Sequence, residues 1–169
     1  MLNASTTVFH LEICDLGSFR PSSYPLGFRV KLLDPPDPGR NREFYRAVGG
    51  PWQWTDKLAW SDDDWRGYVC RNELMTYVGY LGERELGYFE LESQDAGNVQ
   101  ISYFGLFPES IGKGLGGALL SEAVECAWKL PDTRRVWVHT CTHDHEHALV
   151  NYLKRGFRIF KTEETLAGT

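Results

Sequence analysis

Hydrophobic and polar residues alternate with a period of two over much of the first two thirds of the chain, which is typical of half-buried β-strands. Phe9, Leu11 and Ile13 alternate with polar neighbours and predict the first strand. The same pattern, with turn residues between the segments, predicts four further strands at 26–33, 74–81, 85–91 and 99–106. Two helices are expected among these strands, one at 41–48 and one that begins after Ser61, a favoured N-cap residue.

The last third of the chain changes to a helical period. Small and apolar residues recur at helical spacing from Leu115 to Leu130, and Pro131 ends the predicted helix. A strand at 135–141, a short helix at 145–155 and a last strand at 157–161 follow. This order predicts an α+β fold with a mixed, largely antiparallel sheet of six to seven strands flanked by about four helices. The length of 169 residues suits a single domain that spans residues 1–169.

Composition and charge disfavour several classes of function. The net charge of −5 argues against general nucleic-acid binding, which needs clustered Lys and Arg, and it suits a cationic or amine partner better. No apolar run approaches the ~20 residues that span a bilayer. The first residues lack the pattern of a secretory signal, so a cytoplasmic location is expected. The four cysteines form no CxxC pair and are expected to be free thiols.

A glycine-rich loop at residues 111–118 follows a predicted strand and opens a predicted helix. Glycines let the backbone approach an anion closely, and the first N–H groups of a helix are unsatisfied donors, so a phosphate-bearing ligand is expected here. Gly112, Gly114 and Gly117 also match the dinucleotide fingerprint, with Asp132 20 residues beyond Gly112. However, Asp132 precedes the next strand, whereas the ribose-binding acid belongs at that strand's end. A glycine-rich turn without a ligand is the remaining alternative.

Two motifs resemble those of the GCN5-related N-acetyltransferases. The acyl-CoA signature of that family is Gln/Arg-x-x-Gly-x-Gly/Ala between a strand and a helix, and residues 111–116 follow it except that Ile111 stands at the polar first position. The second motif is Ala-x-x-x-Tyr with Gly-Phe shortly after, here Ala148, Tyr152, Gly156 and Phe157. The resemblance covers about 60 residues, from 99 to 160, and the first 95 residues match only in the order of elements.

The resemblance implies a sheet with a splayed strand pair that holds acetyl-CoA, and transfer of its acetyl group to a primary amine. The resemblance divides the chain into two parts. Residues 7–95 form the N-terminal strands and the helices on the acceptor side, and residues 98–161 form the acyl-CoA-binding, catalytic half. Tyr152 takes the role of the acid that protonates the thiolate, and Lys113 can supply charge to a phosphate. The residues that it assigns to the cofactor are Phe104, Gly105, Leu106, Gly112, Lys113, Gly114, Leu115, Gly116 and Gly117. A non-catalytic acyl-CoA-binding sensor is the alternative function.

His139 is the candidate base. On the strand at 135–141, period 2 puts Trp137, His139 and Cys141 on one face, and in some members of the resembled family the position resembling His139 carries a carboxylate base. The ordinary pKa of histidine, ~6.5, suits proton removal near neutrality. A structural role for His139 is the alternative, and Glu90 and Glu92 are reserve candidates for the base.

Two further stretches carry unusual side chains. Four of the six tryptophans lie between Trp52 and Trp65, and we expect Trp52 or Trp54 to contact the acceptor, with core packing as the alternative. His143, His145 and His147 alternate at a predicted loop-to-helix junction with no HExxH motif, so no metal site is expected. The acceptor is left open among a small amine, an antibiotic, a peptide N-terminus and a lysine, and a homodimer is also left open.

Overall fold

The structure is a computed structural model that describes residues 5–165. Seven strands run along the chain: β1 (Thr6–Ile13), β2 (Phe28–Leu32), β3 (Leu74–Leu81), β4 (Arg84–Ser93), β5 (Asn98–Leu106), β6 (Arg135–Cys141) and β7 (Arg158–Thr165). Four α-helices connect them: α1 (Pro38–Gly49), α2 (Asp62–Val69), α3 (Gly116–Lys129) and α4 (Ala148–Lys154). Residues 1–4 and 166–169 lie outside the described part. The predictions of a domain that spans 1–169 and of no leader therefore fall partly on residues that are not described.

The strands form one sheet in the order β2-β3-β4-β5-β6-β1-β7. Every neighbouring pair is antiparallel except β5 and β6. These two strands pair only from Asn98 to Gln100, opposite Arg135 to Trp137, whereas β5 stays paired with β4 as far as Leu106. The predicted mixed, largely antiparallel sheet with a splayed pair is therefore confirmed, and the doubly wound parallel sheet of the dinucleotide alternative is not formed.

Helices α3 and α4 cover one face of the sheet. The largest core cluster joins Leu119 and Leu120 of α3 with Phe89 of β4, Val136 of β6 and Tyr152 of α4, all nearly inaccessible to water. Burial of such side chains contributes about 1.5–3 kcal/mol each to folding. This packing fixes where α3 begins, and with it the position of the glycine loop.

Helices α1 and α2 cover the opposite face. Phe44 of α1 packs against Tyr88 of β4, with ring centroids 5.1 Å apart. The predicted cap at Ser61 is confirmed: its hydroxyl accepts from the Asp64 amide, and the Asp64 carboxylate accepts from the Ser61 amide. Helix α1 begins at Pro38, earlier than predicted, because the Asp37 side chain caps it and proline suits the first turn.

Two boundaries in the last third differ from the prediction. Helix α4 begins at Ala148 and not at His145, because the His145 ring accepts a hydrogen bond from the His147 amide and holds these residues in a turn. Strand β7 continues beyond residue 161 to Thr165, because β1 pairs with it as far as Thr6. Among the described residues, no helix is long and apolar enough to cross a membrane.

Candidate active site

A cavity of about 880 Å³ opens where β5 and β6 separate. Its wall is built from the end of β5, the glycine loop, the end of β6, helix α4 and the tryptophan-rich segment after α1. The cavity therefore brings together residues that are far apart in sequence. The predicted site residues that line it are Trp52, Trp54, Phe104, Gly105, Leu106, Gly112, Gly114, Leu115, Gly116, Gly117, His139 and Tyr152.

The glycine loop adopts a conformation that favours glycine. Gly112 and Gly114 have φ values of 79° and 73°, in the left-handed region that residues with a Cβ rarely adopt. Helix α3 begins at Gly116, in the cavity wall, and has no side-chain cap, so its first N–H groups have no side-chain acceptor. Lys113 is exposed and does not line the cavity, whereas Ile111 does.

Tyr152 projects from α4 between two aromatic rings. Its ring lies 6.2 Å from that of Phe104 and 5.7 Å from that of Phe157, measured between centroids. Burial raises the pKa of the hydroxyl above its ordinary value, and the charge of Asp144 raises it further. The hydroxyl is thus protonated near neutrality and can donate a hydrogen bond into the cavity.

His139 stands on the cavity side of β6, opposite His10 of the neighbouring strand β1. The two imidazole centroids are 5.9 Å apart, and the Trp137 ring lies 6.3 Å from that of His139. Although His139 is exposed to the open cavity, partial desolvation by the surrounding protein, and then the nearby His10, lower its pKa below the usual 6.5. A neutral imidazole near pH 7 can accept a proton.

The two reserve carboxylates do not line the cavity. Glu90 is buried between α1 and α2, where Asn41 and Tyr68 each donate to it at 2.7 Å, and burial raises its pKa. Glu92 is partly buried, yet hydrogen bonds from Gln94 and Arg71 hold its pKa below the usual range. Both carboxylates are occupied by partners in this structure.

The two candidate tryptophans have different surroundings. The Trp54 ring packs over the Gly49 backbone, where an added Cβ would come within 2.5 Å of it, and it contacts the rings of Tyr45 and Tyr103. Among residues 5–165, the Trp52 ring contacts one other ring, that of His145, with centroids 5.0 Å apart at the cavity wall. Trp54 thus combines cavity lining with core packing, whereas Trp52 belongs to the cavity wall.

Of the three histidines in the loop after β6, His143 contacts β1, whereas His145 and His147 contact each other. His143 lies 2.7 Å from the Thr6 hydroxyl, and His145 accepts from the His147 amide. Within residues 5–165, no three His, Cys, Asp or Glu side chains are grouped so that they could hold a metal ion.

Asp144, inside this histidine run, also lines the cavity, although no sequence motif marks it. Its carboxylate accepts hydrogen bonds from the Thr140 hydroxyl at 2.5 Å, the Cys141 amide at 2.9 Å and the Trp54 indole at 3.4 Å. No Lys, Arg or His nitrogen of the described residues lies within 4.0 Å of it. It is therefore a fixed, uncompensated negative charge in the cavity wall.

Asp56, the other carboxylate of the cavity wall, is compensated. Tyr45 and Tyr103 donate to it at 2.6 and 2.8 Å, and the Lys57 ammonium lies 3.3 Å away. That ammonium also lies 4.0 Å from the centroid of the Trp60 ring. Although partial burial acts against it, these donors hold the pKa of Asp56 below its usual range.

Comparisons with known proteins agree with this architecture. A model of the acetyltransferase (GNAT) family matches residues 40–157, more than half of the chain. A structure similar to this chain is a GCN5-related N-acetyltransferase from Kribbella flavida, at 12% identity and a TM-score of 0.68, over 96% of this chain and 59% of that one. Another is a GCN5-related N-acetyltransferase from Sphaerobacter thermophilus, at 16% identity and a TM-score of 0.67, over 97% of this chain and 53% of that one.

A third similar structure is an aminoglycoside acetyltransferase from an uncultured soil metagenomic sample, in complex with trehalose. It is 13% identical, with a TM-score of 0.61, over 76% of this chain and 87% of that one. The chain thus spans little more than half the length of the first two structures. A search of curated proteins gives no significant match.

Proposed function

The chain belongs to the acetyltransferase (GNAT) family, and from that premise we propose that it transfers an acetyl group from acetyl-CoA directly to a primary amine of a small molecule or peptide. The observation that carries this proposal is the distribution of charge in the cavity. The cationic Arg155 lies against Gly117 at the glycine loop, and the uncompensated carboxylate of Asp144 lies beside Trp54. A phosphate-bearing donor suits the first group, and a cationic acceptor suits the second.

Unpaired backbone groups of β5 support acetyl-CoA as the acetyl donor. Beyond Gln100 the edge of β5 that faces β6 has no ladder partner, so its N–H and C=O groups are available to the amides of a pantetheine chain. The first amides of α3 lie at the positive end of the helix dipole and suit a pyrophosphate. Val48 of α1 packs closely over Gly105, where a Cβ would come within 2.3 Å of it, and so fixes this part of β5.

The acceptor side is supported by Asp144. A carboxylate held by three donors, with no cation beside it in the described structure, favours an ammonium group as its partner. Trp52 adds an aromatic ring at the same wall, and rings attract cations by about 0.5–2 kcal/mol. The structural likeness to an aminoglycoside acetyltransferase fits a cationic acceptor but shows the fold alone.

When bound, acetyl-CoA supplies an activated thioester whose sulfur is the leaving group. His139, neutral near pH 7, removes the proton that the amine nitrogen must lose. Tyr152 donates a hydrogen bond to the sulfur as negative charge develops there. Asp144 binds the ammonium group of the acceptor. His139 then acts on the amine side of the reacting carbon and Tyr152 on the sulfur side.

The protonation of the cysteine thiols favours direct transfer over an acyl-enzyme intermediate. Burial raises the pKa of the Cys141 thiol, and burial raises the pKa of the Cys126 thiol to about 12. A thiol that stays protonated is a poor nucleophile. Cys126 also lies outside the cavity wall.

The experiment that tests the function is an acceptor panel with acetyl-CoA, read as release of free CoA thiol. The panel contains cationic small amines, aminoglycosides and peptides with free N-termini or lysines, together with the N-acetylated form of each as a control. We expect amine-dependent thiol release, strongest with cationic small amines. If CoA binds but no member of the panel releases thiol, the acyl-CoA sensor is the better description.

Coenzyme A is expected to stabilise the protein against heat. A ligand at 100 times its dissociation constant adds about 2.7 kcal/mol, or roughly 5–10 °C in Tm for a chain of this size. Gly114→Asp should abolish the shift, because it puts a carboxylate beside the pyrophosphate, where a Cβ meets no protein atom within 4 Å. Gly114→Asn carries a side chain of the same shape without the charge, so it should retain part of the shift. Stabilisation by NAD and not by CoA would contradict the proposal.

Replacement of the two tryptophans should give different results. Trp52→Leu should raise the acceptor KM about 2- to 30-fold with little change in Tm, because it removes a cavity ring and little packing. Trp54→Leu should lower stability by about 1–3 kcal/mol, because the ring packs on Gly49, Tyr45 and Tyr103. Steady-state kinetics and thermal melts of both variants check this. Equal loss of stability in the two variants would support core packing for Trp52.

A further inference from the structure

Arg155 follows the last residue of α4, and its backbone is held on both sides. Its amide donates to the carbonyl of Asn151 at 3.1 Å, and its carbonyl accepts from the Arg20 amide at 2.8 Å. The side chain therefore starts from a fixed point in the cavity wall. The contacts of the guanidinium then determine where the Arg155 side chain points.

The guanidinium lies against the first turn of α3. A Cβ added to Gly117 would come within 2.4 Å of the Arg155 Nη1 atom and 2.9 Å of the Ser22 hydroxyl. Glycine at position 117 thus leaves the room that the guanidinium occupies. A residue with a side chain there would push Arg155 away from the start of α3.

This placement leaves two positive groups together without a counter-charge. The N-terminus of a helix carries about +0.5 of an elementary charge. Among residues 5–165 no carboxylate oxygen lies within 4.0 Å of the guanidinium, and its Nε atom is buried with no acceptor. A buried donor without a partner is unfavourable, and an anion beside the guanidinium, within reach of the first amides of α3, would neutralise both positive groups.

The sequence of the loop explains why an additional cation is useful. Ile111, at the position where the resembled signature has Gln or Arg, lines the cavity with an apolar side chain that cannot bind a phosphate. Lys113 is exposed and outside the cavity wall. We propose that Arg155 binds the pyrophosphate of coenzyme A, and that from the C-terminal end of α4 it replaces the polar side chain missing at position 111. This proposal rests on the proposed function, and the planar fork of arginine suits phosphate oxygens.

The test is the affinity of Arg155→Gln for three ligands, measured by calorimetry. A lost charge-assisted hydrogen bond corresponds to about a 10- to 100-fold weaker Kd. We expect that loss for CoA and for dephospho-CoA, which both carry the pyrophosphate, and no change for pantetheine, which carries none. At saturating acetyl-CoA, kcat should change less than about twofold if the residue only binds the donor.

Two further variants control the result. Lys129→Gln removes the same charge at the other end of α3, on an exposed side chain outside the cavity, and should leave the Kd for CoA unchanged. Ile111→Arg in the Arg155→Gln background restores the signature's charge and should recover affinity for CoA and dephospho-CoA.

A loss limited to CoA, an equal loss for pantetheine, or no loss at all would overturn the role of Arg155. None of these results would affect the proposed acyl transfer. Conversely, if the wild type bound no CoA but inorganic pyrophosphate raised its Tm in an Arg155-dependent way, the anion site would stand and the proposed function would fail.

Discussion

Tyr152→Phe is expected to lower kcat by about 10²–10⁴, the range typical of a lost general acid, while folding and CoA binding persist. The change removes only the hydroxyl and leaves the ring between Phe104 and Phe157. Because burial raises the pKa of this hydroxyl, full proton transfer to sulfur is more costly than hydrogen bonding to it. We therefore expect the lower end of the range, about 10²-fold.

Tyr77→Phe is the matched control. Tyr77 stacks on Phe89 at 5.0 Å between centroids and is not part of the cavity wall, so loss of its hydroxyl should leave kcat within about twofold. Both variants are measured with saturating acetyl-CoA and an acceptor from the panel. If Tyr152→Phe retains more than about half of the wild-type kcat, its hydroxyl is not the acid, and the ring serves packing alone.

Most elements of the fold were predictable because local sequence patterns determine them. Alternation along β5 and β6, the glycines before α3 and the Ser61 cap each act over a few residues, and all are found where expected. The predicted start of α4 was wrong, because the true start depends on one hydrogen bond between the His145 ring and a backbone amide. A pattern of hydrophobic and polar residues indicates the period of an element. It does not show whether a side chain competes with the helix for a backbone amide.

The site was less predictable, because its charges depend on contacts between distant residues. Asp144 becomes important only because Trp54 contacts it from 90 positions away in sequence and no cation of the described residues does. Arg155 becomes important only because Gly117 lets it approach α3. The signal available in the sequence was the departure at Ile111, where the resembled signature has a polar residue.

His139→Gln should lower kcat/KM near neutral pH by about 10²-fold and flatten the acidic limb of its pH profile. In the wild type that limb should lie below pH 6.5, because partial desolvation and the nearby His10 lower the pKa of His139. Activity then rises as the pH passes that pKa and His139 loses its proton. In the variant, part of the activity should return at high pH, where the amine loses its proton without a base.

Two neighbouring side chains allow a sharper test, because they act on the pKa of His139 in opposite directions. The Asp144 carboxylate raises the pKa of His139, so Asp144→Asn should move the acidic limb to lower pH as well as raise the acceptor KM. His10 lowers the pKa of His139 and does not line the cavity, so His10→Gln should move the limb to higher pH. Opposite shifts are expected only if His139 produces the limb. A limb that stays in place in both variants would mean that the base is another group.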